Sequence, residues 1–395
     1  MSLATLQKQG QQRLAALGTP STRAEEWRYV ALRDFGSFQP ADTASVDAAA
    51  AVAEQLPELA AQAIVLTDGV LTHGIERLPG NVELESEADE ARLSEWESRL
   101  ARADLAEAHS FARLTGTLTL RLRCAAEAPI VLVNVVTGGE HGWRLVIDGA
   151  ANAQARICLV HLHLAPARAS CGIEVHADTN AHIDVDEIEL GSDGPGRVGQ
   201  HFVSREFQLG RDAQVRWNTA TAGGALSRHL SWAHLNAPGA HVALVGIKAL
   251  AADQQGHDLI RVFHHAGNAT SDQFFKTVVD DESIASFDGV IHVDPGADGT
   301  DAMQNSNNLQ LSQKARVATR PQLDIYADEV SASHGATVGQ PDADEIRYLA
   351  TRGIAAALAR SLIITGAIQE GLDRLHLPAA RQIAERLLLG NLRRA

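Results

Sequence analysis

The sequence predicts a mainly β fold, a solenoid of stacked parallel strands set between a mixed helical front section and a helical tail. Three observations carry this expectation. Polar turns ending in Ala recur at Ala153, Ala181, Ala213, Ala240, Ala297 and Ala315, with spacings of 28, 32, 27, 57 and 18 residues. Alternating runs follow several of them, such as Arg156-Ile157-Cys158-Leu159-Val160 and Gln214-Val215-Arg216-Trp217. Aromatic residues make up only 4% of a chain with 32 glycines, which favours thin repetitive packing over an aromatic-rich core. A repeat of about 30 residues cannot bury its apolar face alone, whereas stacked repeats share one continuous core with inward side chains at every second position. The 57-residue interval is close to two repeats, and the 18-residue interval is a misfit. A two-sheet sandwich, with turns about every 8 to 12 residues, is the alternative on pattern alone.

Residues 1–115 form the front section. Ala, Leu, Gln and Glu fall at helical spacing up to about residue 60, broken at Gly18-Thr19-Pro20-Ser21, where Ser21 or Thr22 is placed to cap a helix opening on Glu25 and Glu26. Ala63-Ile64-Val65-Leu66 and Val70-Leu71 read as short strands around the Asp68-Gly69 turn, and Ser86 to Leu105 reads as helical. Residues 116–340 form the solenoid, including Thr117 to Leu122, Pro129 to Val133 and Gln200 to Phe207 as strands. Within Arg156 to His163, Val160 and Leu162 are expected to point inward and His161 outward. In the tail, 341–395, Asp342 caps a helix that Arg352-Gly353 stops, 354–368 is an apolar helix, and Pro378 opens the last one.

Composition excludes several functions. Lys and Arg number 34 and Asp and Glu 49, a net charge of −15, which argues against nucleic acid and against an anionic membrane surface as partners. The tail alone carries eight Arg against six acids, so it is the basic end of an acidic protein. Cys124, Cys158 and Cys171 are three thiols without a CxxC pair, which excludes a disulfide framework and a four-thiolate zinc site and fits a reducing cytoplasm. No basic-then-apolar leader and no run of about 18 apolar residues occurs, so a soluble cytoplasmic protein is expected.

Local motifs favour no enzyme. Gly194-Pro195-Gly196-Arg197-Val198-Gly199 matches GxGxxG, but a strand-like run follows where a dinucleotide site needs a helix N-terminus. Arg197-Val198 also stands where a P-loop needs Lys and Ser or Thr, so the chain is expected neither to bind nor to hydrolyse ATP. His161 and His163 share a strand face, as do His182, Asp184 and Asp186; each set has metal-ligating chemistry, and a solvated face is the simpler reading. His264-His265 lacks further ligands nearby. Asp280, Asp281 and Glu282 near Lys276 would suit a polysaccharide lyase or hydrolase built on a β-helix, the enzyme-class alternative; a solvated turn is the simpler reading. A homodimeric interaction protein without metal chemistry is the other alternative.

Two stretches resemble the SufB/SufD family of iron–sulfur cluster assembly proteins. One is Gly18-Thr-Pro-Ser-Thr-Arg-Ala-Glu-Glu-Trp27-Arg-Tyr29. The other, far more specific, runs from His265-Ala-Gly-Asn268 through Phe287-Asp-Gly289-Val-Ile-His-Val293-Asp-Pro295 and Gln304-Asn-Ser-Asn307-Asn308-Leu309 to Pro321-Gln-Leu-Asp-Ile325 and Ser333-His334-Gly335-Ala336-Thr337. The resemblance implies a right-handed parallel β-helix between a variable N-terminal domain and a helical C-terminal domain. Gly335 places the chain with the SufD rather than the SufB branch. By the same resemblance, the chain is a non-enzymatic scaffold that pairs with SufB, docks the SufC ATPase through its C-terminal helices and supports iron delivery, with a homodimer possible in isolation. His334 matches the family's metal-site position, implying a ligand for transient iron or an iron–sulfur cluster shared with SufB, oriented by Ser333 and Thr337. Many members carry Cys two residues earlier, where this chain has Ala332. Reduced flavin is associated with the family's complex, although the chain has no recognisable flavin motif. The apolar stripe Ile354, Leu358, Leu362 and Ile363, with Arg360 and Arg374 nearby, is the expected SufC surface, and the β-helix is expected to survive loss of the tail.

Overall fold

The repeating alanines are the corners of the coil. The computed structural model describes residues 2–32, 35–36, 38–191 and 199–393. Each corner alanine of one edge follows a residue at positive φ: Asn152 (64°), Asn180 (56°), Asp212 (55°), Gly239 (76°), Asn268 (56°) and Gly296 (80°). Asn, Asp and Gly are the residues that visit this left-handed region at least cost, and the small alanine then turns fully into the interior. Its N–H closes the turn, Ala153 onto Ala150 and Ala181 onto Asp178, both at 2.9 Å. Ala269, after Asn268, is a corner that the sequence reading passed over; it divides the 57-residue interval into 29 and 28. Ala315 lies on the opposite edge, so the 18-residue interval crosses the coil rather than following it.

The strands number β1 (Ala63–Thr67), β2 (Val70–His73), β3 (Val82–Glu85), β4 (Leu114–Leu122), β5 (Ile130–Val136), β6 (Gly139–Gly149), β7 (Gln154–His163), β8 (Ala167–Ala177), β9 (His182–Leu190) and β10 (Gly199–Leu209). They continue as β11 (Gln214–Ala222), β12 (Leu226–Leu235), β13 (His241–Leu250), β14 (Gln255–His264), β15 (Thr270–Val279), β16 (Ile284–Val293), β17 (Thr300–Gln310), β18 (Arg316–Ile325) and β19 (Val330–Gly339). Odd strands β5 to β19 stack in one sheet and even strands β4 to β18 in another, all parallel, making a β-solenoid of about 8 turns. The expected Asp68-Gly69 hairpin is present, and β1 and β3 add to the starting edges of the same two sheets. The opposite edges, β18 and β19, pair with no further strand among the described residues.

Helices cover the outer faces. α1 (Leu3–Leu17), α3 (Glu90–Leu100) and α4 (Leu105–Ala112) gather on the even sheet. There Arg144 is sealed beneath Trp96 and Phe111, and its guanidinium donates to Glu174 at 2.6 Å. α2 (Ala48–Gln55) packs on the odd sheet near its start. α5 (Ala343–Thr351) is capped by Asp342 as expected, and α6 (Ala356–Leu372) and α7 (Pro378–Arg393) lie along the odd sheet. The expected helix at Glu25 is a single 3-10 turn, Glu25–Trp27, without a side-chain cap.

This cover reverses one expectation. Ile157 and Leu159 face the space between the sheets, whereas Cys158, Val160 and Leu162 belong to the apolar cluster on the outer side that the helices cover. His161 therefore points inward. Period two shows which side chains share a face, but when helices bury the outer face as well, apolarity no longer says which face is inside.

Candidate functional site: the inward columns of the solenoid

In-register stacking turns each inward position into a column. One column of the odd sheet reads Ile130, Ile157, Val185, Trp217, Leu244, Gln273, Gln304 and His334. Its first five members belong to the apolar core between the sheets. The last three coils are polar: the Gln304 amide donates to Gln273 Oε1 at 2.8 Å, and His334 follows on the terminal coil. His334 is exposed on β19, beyond which no strand of the described residues stacks. Thr337 does not orient it, since its hydroxyl donates to Asn307 Oδ1 at 3.0 Å. Ala332 shares its face two residues away, so this chain brings one imidazole and no thiol to that end.

A second column is polar between its ends at Leu66 and Val338: Asn134, His161, Glu189, Thr221, Lys248, Thr277 and Asn308. Facing residues of the even sheet complete a buried network. Lys248 Nζ donates to Asp258 Oδ1 at 2.6 Å and lies 3.4 Å from His229 Nδ1. An ammonium only donates, so His229 accepts at Nδ1 and its Nε2–H donates to Glu189 Oε2 at 3.1 Å. Ser227 donates to the same oxygen at 2.7 Å. Glu187 accepts from Trp217 Nε1 at 2.6 Å and from Arg205 Nε at 2.8 Å, with His161 Nε2 at 3.1 Å from its other oxygen.

Burial pushes these carboxyls up, but their partners outweigh it. Arg205 and His161 hold Glu187, and His201 and His229 hold Glu189, well below the ordinary carboxylate range. Lys248 holds Asp258 down to about 2. Imidazoles move the other way: burial, reinforced by neighbouring positive charges, lowers His257 and His109 to about 3 and His264 to about 4.

These shifts give stability a sign with pH. In the unfolded chain a histidine takes up a proton near its ordinary 6.5, while His109, His257 and His264 stay neutral in the fold down to about 3 to 4. The unfolded state therefore binds more protons below pH 6.5, and stability falls as pH drops from there. Asp258 adds a second loss as pH falls from its ordinary 3.8 towards about 2. Denaturant midpoints measured from pH 8 to pH 4.5 should decline below about 6.5, and His257→Gln should flatten the decline. A midpoint constant between pH 7.5 and 5 would contradict this account.

Other sequence candidates have different fates. Asp186 is buried and accepts the N–H groups of His376 (2.9 Å) and Leu377 (2.7 Å) just before α7, so it is no solvated ladder residue. Lys276 pairs with Glu370 of α6 at 3.1 Å, Lys314 with Glu282 at 2.7 Å, and Asp281 accepts Ala252 N–H at a turn between β15 and β16. His264 bonds Ser271 inside while His265 bonds Asp294 outside. The Gly194 to Gly199 motif falls largely on 192–198, outside the described residues. In the tail Leu358, Leu362 and Tyr348 are exposed, whereas Arg374 is spent on Asp272 at 2.9 Å and stacks on Phe274. Among the described residues, two sets of three side chains have metal-ligating atoms within 4.8 Å of one another: His163, Glu189 and His201, and Glu95, Glu174 and His176. In the second set Glu174 already serves Arg144 and Glu95 serves Arg92.

Sequence reasoning had paired His161 with His163 but missed Glu189, His201, His229, Lys248 and Asp258. The available signal was a polar residue at the same point of successive repeats, visible once the Ala corners set the register.

Residues 135–367 match the family described as SUF system FeS cluster assembly, SufBD core domain. The chain is 28% identical over 366 residues to the iron–sulfur cluster assembly protein SufD of Escherichia coli, covering 89% of this chain and 84% of that protein. It is 26% identical over 395 residues to an iron–sulfur cluster assembly SufBD family protein of Synechocystis, covering 92% and 85%. To SufD of Bacillus subtilis it is 27% identical over 212 residues, 53% of this chain and 47% of that protein.

Proposed function

The chain belongs to the SufB/SufD family of iron–sulfur cluster assembly proteins, and on that premise we propose that it is a non-enzymatic cytoplasmic scaffold subunit. In this reading it pairs with SufB through the last coil, docks the SufC ATPase through its tail and presents His334 to iron or a nascent cluster. The carrying observation is the unfinished end of the solenoid. Among the described residues no strand pairs with the outer edges of β18 and β19, which a second β-helix can continue. At that end the inward column finishes in an exposed imidazole, a suitable ligand for borderline iron. One imidazole cannot hold a metal alone, so the remaining donors have to come from the partner or the cargo.

The tail supports the docking half of the reading. Leu358 and Leu362 are 54% and 47% exposed on the start of α6, beside exposed Tyr348 of α5. Arg360 donates to the Leu311 carbonyl at 2.8 Å and so ties this stretch to the solenoid. No described helix is long and apolar enough to cross a membrane.

Co-expression of the chain with SufB and SufC tests the proposal. A stoichiometric complex is expected, and Leu358→Glu with Leu362→Glu should remove SufC while SufB stays bound. The purified chain alone should not hydrolyse ATP. Recovery of the chain only as a homodimer, with neither partner, would favour the interaction protein without metal chemistry.

A further inference from the structure

Inside the solenoid, far from the open end, lies a second set of ligands. His163 ends β7, Glu189 is near the end of β9 and His201 is near the start of β10, so the three meet where the odd sheet gives way to the even one. All three side chains are buried, and one potential ligand atom of each lies within 4.8 Å of the others. The rings of His163 and His201 meet edge to face at 4.9 Å between centroids.

We propose that His163, Glu189 and His201 form an interior site for one divalent transition cation of the zinc(II) or iron(II) class. Two imidazoles and one carboxylate are a donor set that both metals accept, with at least one coordination position left open. Glu189 is already aimed. Ser227 and His229 hold its Oε2, which leaves Oε1 towards His201, whose Nδ1 is 3.3 Å away without hydrogen-bond geometry. Lys248 does not oppose a cation with a free charge, because Asp258 pairs with it at 2.6 Å.

Orphaned nitrogens supply the independent argument. His163 Nε2 and His201 Nδ1 are both buried without a hydrogen-bond partner. A buried ring nitrogen ordinarily finds a partner; His163 Nε2 has none and His201 Nδ1 has only the Glu189 carboxylate at 3.3 Å, so a cation between the three would satisfy both. Metal bonds of about 2.0–2.1 Å place tetrahedral donors about 3.4 Å apart, so side-chain rotation has to draw the three together on binding. A trapped water is the rival occupant. The proposal stands apart from the role given to His334, which lies six strands along the stack, about 29 Å at the usual strand spacing.

The test uses the full, tag-free chain, stripped with a chelator and titrated with Co²⁺ and then Zn²⁺. One equivalent of cobalt should bind with the visible bands of a four- or five-coordinate ion, and zinc should displace it. Glu189→Gln, which preserves shape, and His163→Gln should each weaken cobalt binding at least tenfold, while His334→Ala leaves it unchanged. Saturating Zn²⁺ should also raise the melting temperature of the wild-type chain, a readout that stands even where a variant folds poorly. No cobalt retained by the wild-type chain, or binding lost in His334→Ala but kept in Glu189→Gln, overturns the proposal. Because the measurement involves neither SufB nor SufC, its failure leaves the scaffold reading untouched, and the reverse holds as well.

Discussion

Deleting residues 341–395 should unfold the chain rather than merely detach a docking module. α6, α7 and the link between them bury Ile368, Leu372, Leu375, Leu377, Ile383 and Leu388 in one apolar cluster with the outer face of the odd sheet, meeting it at β9, β11, β13 and β15, where Ile188, Ala220, Val245, Ile247 and Val278 lie. At about 1.5–3 kcal/mol for each large apolar side chain, six of them contribute on the order of 10 kcal/mol, comparable with the whole stability of a typical domain. Buried Asp186 would also lose the N–H donors of His376 and Leu377. The expected result is a truncated chain that is insoluble, or that binds a hydrophobic dye and melts without cooperativity. A soluble truncated chain melting within a few degrees of the full one would refute this. This packing argues against the expectation drawn from sequence, that the β-helix survives without its tail. Loss of SufC binding on truncation therefore cannot identify the docking face, and the substitutions at Leu358 and Leu362 are the discriminating ones.

His334→Ala should have the opposite profile, a large loss of function with almost no change in stability. The side chain is exposed on β19 and makes none of the hydrogen bonds described around it, so its removal should move stability by no more than about 0.5 kcal/mol. As a ligand in the proposed shared site, its loss should cut the maturation of cellular iron–sulfur enzymes at least tenfold with the SufB and SufC complex intact. Measuring such an enzyme per unit of its protein, in cells whose only copy of this subunit carries the substitution, decides the matter. Full maturation at wild-type subunit levels would remove the metal role and leave the scaffold. Ala332→Cys should fold normally, placing a thiol on the face that His334 already shares.

Particular residues show what could be read in advance. The Ala corners worked because their cause is local: a left-handed residue followed by a side chain small enough to turn inside. Asp342 and Pro378 worked for the same reason, since each sets the start of one helix. His161 was misplaced because the outer face of its strand is buried as well, within a cluster whose α6 and α7 arrive about 200 residues later in the chain. Asp186 looked solvated for the same reason. The polar interior network escaped notice because Glu189, His201, His229 and Lys248 are brought together only by the register between strands, and each alone reads as an ordinary surface residue. His334 was found by resemblance, and its position just before the helical tail puts it near the end of the solenoid; that it closes an inward column shows only once the strands are set in register.

The corner also governs how such a protein can change length. From one Ala corner to the next along the same edge there are 27 to 32 residues, and every coil repeats the register of the one before it. A whole coil can be gained or lost while each remaining side chain keeps its side. One residue inserted within a strand inverts every later position of that strand, sending Glu187 or Lys248 out and Val160-like residues in. Growth of the solenoid is therefore quantised, with single-residue insertions confined to the turns, and each added quantum would carry His334 about 4.8 Å further from the helices packed near the start of the stack.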